Sequence, residues 1–487
     1  LRAWLLAKLG KEKAAARMIK DNLELDPFDF VSGFEAIKAE NDSEKKQKML
    51  DDLNGLMRNF QENYLMTARD FAQWGAYEDA VLVLKQCTKK YPMLYYYAAY
   101  YEEKMGEDEA AKKSLEKAES CAFDYCFPNK LDDIAVLTFA IENGCKKKAP
   151  YYLGNLFYDK LQWKKSVELW EMSEKADDTF SIVHRNLALA YYNKMGDSKA
   201  AKRELEKAFS LNRKDARIFL ELDQLYKKLG YSFKERLAKY DEDPSLAESR
   251  DDLYIEYITL MNMCGEYERA YRCIMGRRFH PWEGGEGKIT TQYTISLLEM
   301  AKQCLASEKY EQAEKLLKKA LVYPENLGEG KLEGTKDNHL FYHLGLALEA
   351  QGKHDEAKTC FETATIGTDE PAGAMYYNDQ PADMILYQGL AFEKLGKTRE
   401  AKSRFYRLID YGEQHLNDEG KIEYFAVSLP DFLIFDEDYT KKNRAHCCYL
   451  MALGNIGLQN REKAAEFLNE ALEIEPSHMM ATLYQKQ

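Results

Sequence analysis

Apolar residues along this chain recur at three- and four-residue spacing in short runs, and the runs come in pairs. The clearest pair spans residues 341–364, FYHLGLALEAQGKHDEAKTCFETA, and it returns at 385–408 as ILYQGLAFEKLGKTREAKSRFYRL. Gly345 and Gly389, Gly352 and Gly396, Ala357 and Ala401, and Phe361 and Phe405 each lie 44 residues apart. The spacing predicts two short amphipathic helices joined by a tight turn at the second glycine. One such hairpin cannot bury its apolar face alone, so the copies must stack on one another. The predicted fold class is all-α, a solenoid of helix-turn-helix units.

Taken in order, the chain opens on the tail of one pair, with Gly10 at a turn, Ala15 at the close crossing and Pro27 ending the second helix. Residues 28–60 read as a weaker copy, with NDSEKKQK as a loop or solvated helix end. Clear units follow at Tyr64, Ala68, Phe71, Gly75, Ala80 and Leu84, then at Ala99, Gly106, Ala111 and Leu115. CAFDYCFPNK breaks the pattern, although the LDDIAVLTFAIENG after it remains helical. The series resumes at Leu153, Gly154, Phe157, Trp163 and Trp170, continues through Leu187, Tyr191, Gly196 and Ala201, and closes at Tyr257, Gly265 and Ala270. After FHPWEGGEGK at 279–288 the period lengthens to 44 residues. The added residues fall at 324–338 and 368–383, and a longer insert spans 412–442. This predicts three arrays: 1–146, 147–279 and 280–487.

Turn glycine, crossing alanine, aromatic and terminal proline, recurring in register, resemble the tetratricopeptide repeat, whose usual length is about 34 residues. The resemblance covers about four fifths of the chain and about eleven units. It implies a right-handed superhelix with first helices on the concave face, and a scaffold that binds other molecules without catalysis. HPWEGGEGK together with the longer repeats also resembles the helical-repeat part of large bacterial proteins in which a β-sandwich similar to sugar-processing enzymes precedes the repeats. That resemblance implies a carbohydrate-related setting.

The 487 residues are 45% hydrophobic and 31% charged, which fits a folded chain, not a disordered tail. The net charge of −13 argues against general binding of nucleic acid or anionic membranes, both of which select basic surfaces. Ten scattered cysteines in a chain with ample core read as reduced thiols and a cytoplasmic compartment. No run reaches the roughly 18 apolar residues of a membrane span. The first residues, LRAWLLAKLG, carry no start methionine and sit inside a helical pattern, so a longer parent protein is expected.

Since the periodic apolar positions are spent on packing, recognition falls to the concave face and the loops. The concave face is predicted to carry Tyr96, Tyr100, Tyr151, Asn155, Tyr158, Arg185, Tyr192 and Asn193. An aromatic and amide-rich groove of this kind suits a peptide or a sugar ring; the same tyrosines also suit packing between helices. Some tetratricopeptide domains clamp a terminal carboxylate with Lys, Asn, Asn, Lys and Arg. Asn155 and Asn186 match its asparagines by role and Arg217 one cation, but Tyr151 and Glu221 stand at the outer cation positions. An acid there repels a carboxylate, which argues against that clamp.

Inserts at equivalent repeat positions emerge on one edge. Residues 280–288, 324–338, 368–383 and 418–440 are therefore expected to approach one another, offering His280, Trp282, Glu283, Glu286, Tyr376, Tyr377, Asp379 and Asp431 to a glycan or small molecule. GGEGK is not a phosphate loop, because Ile289 replaces the hydroxyl residue. His339 and His343 lie one helical turn apart, but no third ligand is evident, so they read as surface histidines. No catalytic residue, metal or cofactor is predicted. The expected partner is a protein, a peptide or another domain of the same chain; the oligomeric state is not legible.

Overall fold

The computed structural model describes residues 1–282, 284–373, 380–420 and 434–486. Among the described residues there are 27 α-helices and no strand, the all-α architecture that the periodicity predicts. No helix there is long and apolar enough to cross a membrane. All ten cysteines are free thiols.

The chain forms two compact units, Leu1–Ala190 and Tyr191–Gln487, where the sequence predicted three arrays. The irregular stretches near 146 and 279 do not interrupt stacking: Leu131–Glu142 packs on Lys148–Asp159, and Tyr267–Met275 packs on Lys288–Ala306. In the first unit, antiparallel pairs run from Arg2–Lys8 with Glu12–Leu25 to Lys148–Asp159 with Trp163–Ala176. The run NDSEKKQK is mostly helix: it opens Ser43–Met57, and the Asp42 carboxylate caps that helix by accepting from Lys45 N at 2.8 Å. In the second unit, the pairs end with Met384–Lys394 and Thr398–His415, then Tyr439–Gly457 and Arg461–Ile474.

One packing device repeats inside the hairpins. Gly154 faces Trp170, Gly345 faces Phe361 and Gly389 faces Phe405, with 16 positions separating each pair. A methyl added at any of these glycines lands within 3.0 Å of the ring, closer than real Cβ atoms come. The glycine is therefore a notch in the first helix that seats an aromatic from the second. Its helix-propensity cost of about 1 kcal/mol is offset by burying the ring, worth about 1.5–3 kcal/mol. Phe405 is held twice, since a side chain at Gly457 in the following hairpin also meets its ring.

The turns between paired helices need left-handed backbone. Gly352 and Gly396 supply it at φ 77° and 75°. Three turns adopt it without glycine, at Leu161, Glu308 and Gln459, with φ near 60°.

Candidate functional site

The second unit opens with a π-helical turn, Tyr191–Met195. The i→i+5 bonding of such a turn widens it, and insertions of this kind often mark functional positions. Gly196, at φ 68°, closes the turn. Three consecutive residues of the turn meet one distant segment, residues 434–437, which lies just ahead of the helix Tyr439–Gly457.

Asn193 grips the main chain on both sides of Phe435. Its Nδ2 donates to the Ile434 carbonyl at 2.9 Å, and its Oδ1 accepts from Asp436 N at 2.9 Å. The Phe435 ring is 2% exposed and stands edge-on to Tyr192, with ring centroids 5.0 Å apart. Lys194 Nζ lies 3.3 Å from the Asp436 carboxylate. Glu437, nearly buried, is bound by Lys228 at the end of helix Ala216–Lys228 and by Lys442. Burial alone raises the Glu437 carboxyl, but the two lysines outweigh it and hold it below the usual range. The geometry thus carries three kinds of recognition: an amide for peptide backbone, an aromatic contact, and cations for two successive acids.

Tyr192 and Asn193 are the two members of the predicted groove that meet a polypeptide segment within the second unit. Those in the first unit sit differently. Tyr96 is fully buried and donates its hydroxyl to Glu119 at 2.5 Å. Tyr151 is also buried, with its ring 5.0 Å from that of Phe180. Neither lines an open groove, because the flat body of tyrosine fills the space between neighbouring helices while its hydroxyl finds a partner. Tyr100 stacks edge-on to Phe139 with Lys104 over its face, and Tyr158 packs on Trp163 and Trp170. The Asn155 Oδ1 accepts from both Trp170 Nε1 and Asn186 Nδ2, and Arg185 donates to Asn186. In the second unit Arg217 pairs with the buried Glu221 at 3.1 Å, so neither side chain is set up to meet a carboxylate.

Of the predicted loop edge, two parts do meet. Phe279 N donates to the Asn326 carbonyl at 2.8 Å, and Glu329 accepts from Gly287 N at 2.8 Å. His280 is exposed and donates its backbone N–H to Asp251, while Glu286 accepts from Gly284 N. The Trp282 ring packs against Gly285, with the Lys288 ammonium 5.5 Å from its centre. The other two inserts go elsewhere: Ala372 accepts from His446 at 2.9 Å, and residues 434–437 lie on the π turn. Glu283, Tyr376, Tyr377, Asp379 and Asp431 lie outside the described residues.

The sequence also missed a polar interior in the second unit. His339 and His343 are not surface residues. Both pack against Tyr387, whose hydroxyl accepts from Tyr484 at 2.6 Å. Burial pushes both imidazoles down to about 3, with Lys302 adding to the effect. Asp383, also buried, is pushed up to about 6 and accepts from the Tyr449 hydroxyl at 3.2 Å. The signal available in the sequence was the recurrence of Tyr and His at one position of successive first helices.

Family models described as tetratricopeptide repeat match four segments, residues 186–215, 339–365 and 445–478 for one model and 383–411 for another. Among solved structures, a tetratricopeptide repeat protein from Parabacteroides merdae is 18% identical, with 59% of this chain and 98% of that chain covered and a TM-score of 0.26. The pilF protein of Pseudomonas aeruginosa is 16% identical over 44% of this chain and 89% of its own, with a TM-score of 0.27. The TPR domain of P58(IPK) is 14% identical over 82% of this chain and 97% of its own, with a TM-score of 0.22. The repeats themselves rest on the family models and on the helix pairs described above: the fold is an all-α solenoid of tetratricopeptide type.

Proposed function

For a chain that carries tetratricopeptide repeats, we propose a non-catalytic scaffold that binds a short, non-helical stretch of protein, either from a partner or from another domain of the same polypeptide. The observation that carries this reading is the Asn193 amide paired with main-chain groups on both sides of Phe435. Such pairing reads backbone, so it accepts any peptide able to lie in the groove, while neighbouring side chains select among them. Ten free thiols in a chain with ample core support a reducing, cytoplasmic setting. The bacterial, carbohydrate-related setting rests only on the resemblance of HPWEGGEGK and the lengthened repeats.

Display of a random peptide library on the full chain tests this reading. Selected peptides should bind a chain whose own segment has been loosened by Phe435→Ser, and lose at least tenfold in affinity, about 1.4 kcal/mol, when Asn193→Ala is added. A library that yields no peptide sensitive to Asn193 defeats the proposal. A glycan site around Trp282 draws less support, since the ring is already engaged by Gly285 and Lys288.

A further inference from the structure

Residues 434–437 have the chemistry of a ligand and the connectivity of a tether. We infer that the groove on the π turn is a docking site for a peptide bearing an aromatic residue followed by two acids, and that the chain's own Phe435-Asp436-Glu437 holds it until such a partner displaces it. The inference rests on the scaffold reading above and adds the identity of the bound motif.

Each position of the motif has its own partner. The aromatic goes to Tyr192, the first acid to Lys194 and the second to Lys228. The main chain around the aromatic goes to Asn193. None of these contacts is local: 241 residues separate Asn193 from Ile434. The segment is irregular, without helix or strand of its own, so its placement comes from the groove and from its attachment to the helix that begins at Tyr439. Asp436 remains largely exposed, with 66% of its side chain open to solvent. Such an edge offers an incoming acid access to Lys194 before the internal segment has left. A tethered occupant competes at an effective concentration of about millimolar order. An external peptide therefore binds the native chain weakly, and affinity rises by the reciprocal of the vacant fraction once the tether is removed.

The test uses the full chain and a fluorescein-labelled peptide of sequence IFDED, matching residues 434–438. Phe435→Ser in the protein removes the aromatic anchor of the tether. Fluorescence anisotropy should show the peptide binding this variant at least tenfold more tightly than the native chain. Adding Asn193→Ala should abolish the gain. Adding Lys228→Glu instead should weaken IFDED and restore binding to IFDKD, a charge exchange that a purely structural segment would not reproduce. If Phe435→Ser lowers the folded fraction by circular dichroism, Glu437→Lys replaces it, since it expels the tether by repulsion from Lys228 and Lys442 without opening apolar packing. A folded, vacated chain that does not bind IFDED, or binds it regardless of residue 193, overturns the inference. If library peptides lacking the motif bind the vacated chain through Asn193 while IFDED does not, the motif fails and the scaffold reading stands. If neither binds, both fail.

Discussion

Lowering the pH from 7 to 5 is expected to remove about 7 kcal/mol of stability from the second unit, and four enclosed histidines, His343 buried and His339, His446 and His478 half-buried, set the size of the effect. His339 and His343 are pushed down to about 3, and His446 and His478 to about 4, in each case chiefly by burial. An unfolded chain takes up these protons near pH 6.5, whereas the folded unit refuses them until pH 3 to 4. Below about pH 6.5 the unfolded state therefore binds more protons, and stability falls as pH falls, by about 1.4 kcal/mol per pH unit for each histidine. Asp383 acts in the opposite sense. Its folded carboxyl is pushed up to about 6, so between about pH 6 and 4 the folded state holds a proton that the unfolded state has released. Four histidines against one aspartate leave three protons, a slope of about 4 kcal/mol per pH unit in that window. Summed downward from pH 6.5, the loss is about 7 kcal/mol by pH 5 and about 11 kcal/mol by pH 4; set against a total stability of about 5–15 kcal/mol, acid unfolding falls at about pH 5.5 for the low end of that range and below about pH 4 for the high end. Urea titrations followed by far-ultraviolet circular dichroism at a series of pH values measure the slope directly. His478→Asn isolates one contributor. His478 caps the last helix by accepting from Ala481 N at 3.1 Å, and asparagine preserves a cap while removing the titration. The variant should lose about 1.4 kcal/mol per pH unit of slope. A urea midpoint that stays flat from pH 7 to 5, or a slope unchanged in His478→Asn, refutes the reasoning.

Three further outcomes follow from the packing. Gly389→Ala should lower stability by about 1–2 kcal/mol, because overpacking at Phe405 outweighs the roughly 1 kcal/mol of helix propensity gained; Gly55→Ala, exposed and with nothing within 4 Å of the added methyl, should instead stabilise, and calorimetry of the pair reads the opposite signs. Leu161→Gly should raise stability by about 0.5–1 kcal/mol, since relief of left-handed strain exceeds the added chain entropy; an unchanged or lower melting temperature counts against that account. Arg236→Ala should cost about 3–5 kcal/mol in urea unfolding, because the 1%-exposed guanidinium pairs with Asp223 and Glu256, each at 2.6 Å, and its loss strands their charges.

The helix pairs were legible because their signals are short in range. Turn glycine, notch glycine and ring lie within a single hairpin, and periodicity reads them without knowing what the hairpin touches. The repeat register put Tyr192 and Asn193 on a first helix, whose end is the π turn, but it named no partner for them. What lay out of reach was pairing between distant repeats. IFDED reads as an acidic loop, and nothing near it announces that Phe435 is buried or that Asn193 receives it. His339 and His343 were misjudged on the same ground: Tyr387, whose ring packs on both, and Lys302, whose charge opposes their protonation, come from other hairpins. Tyr96 and Tyr151 erred the other way, because a first-helix position does not say whether a neighbouring helix covers it.

The ring-in-notch arrangement also accounts for where the chain tolerates extra length. In three hairpins the aromatic closes onto a glycine of the same hairpin, so that contact does not depend on how much chain separates one hairpin from the next. The peptide joining consecutive hairpins carries no part of that contact. It can be lengthened from a few residues to more than a dozen at little energetic cost, and this is where the chain places the additions that stretch its period to 44 residues. A segment long enough to leave its own repeat and settle on a remote one, as Phe435 does, becomes available only in a chain whose joints are free in this way.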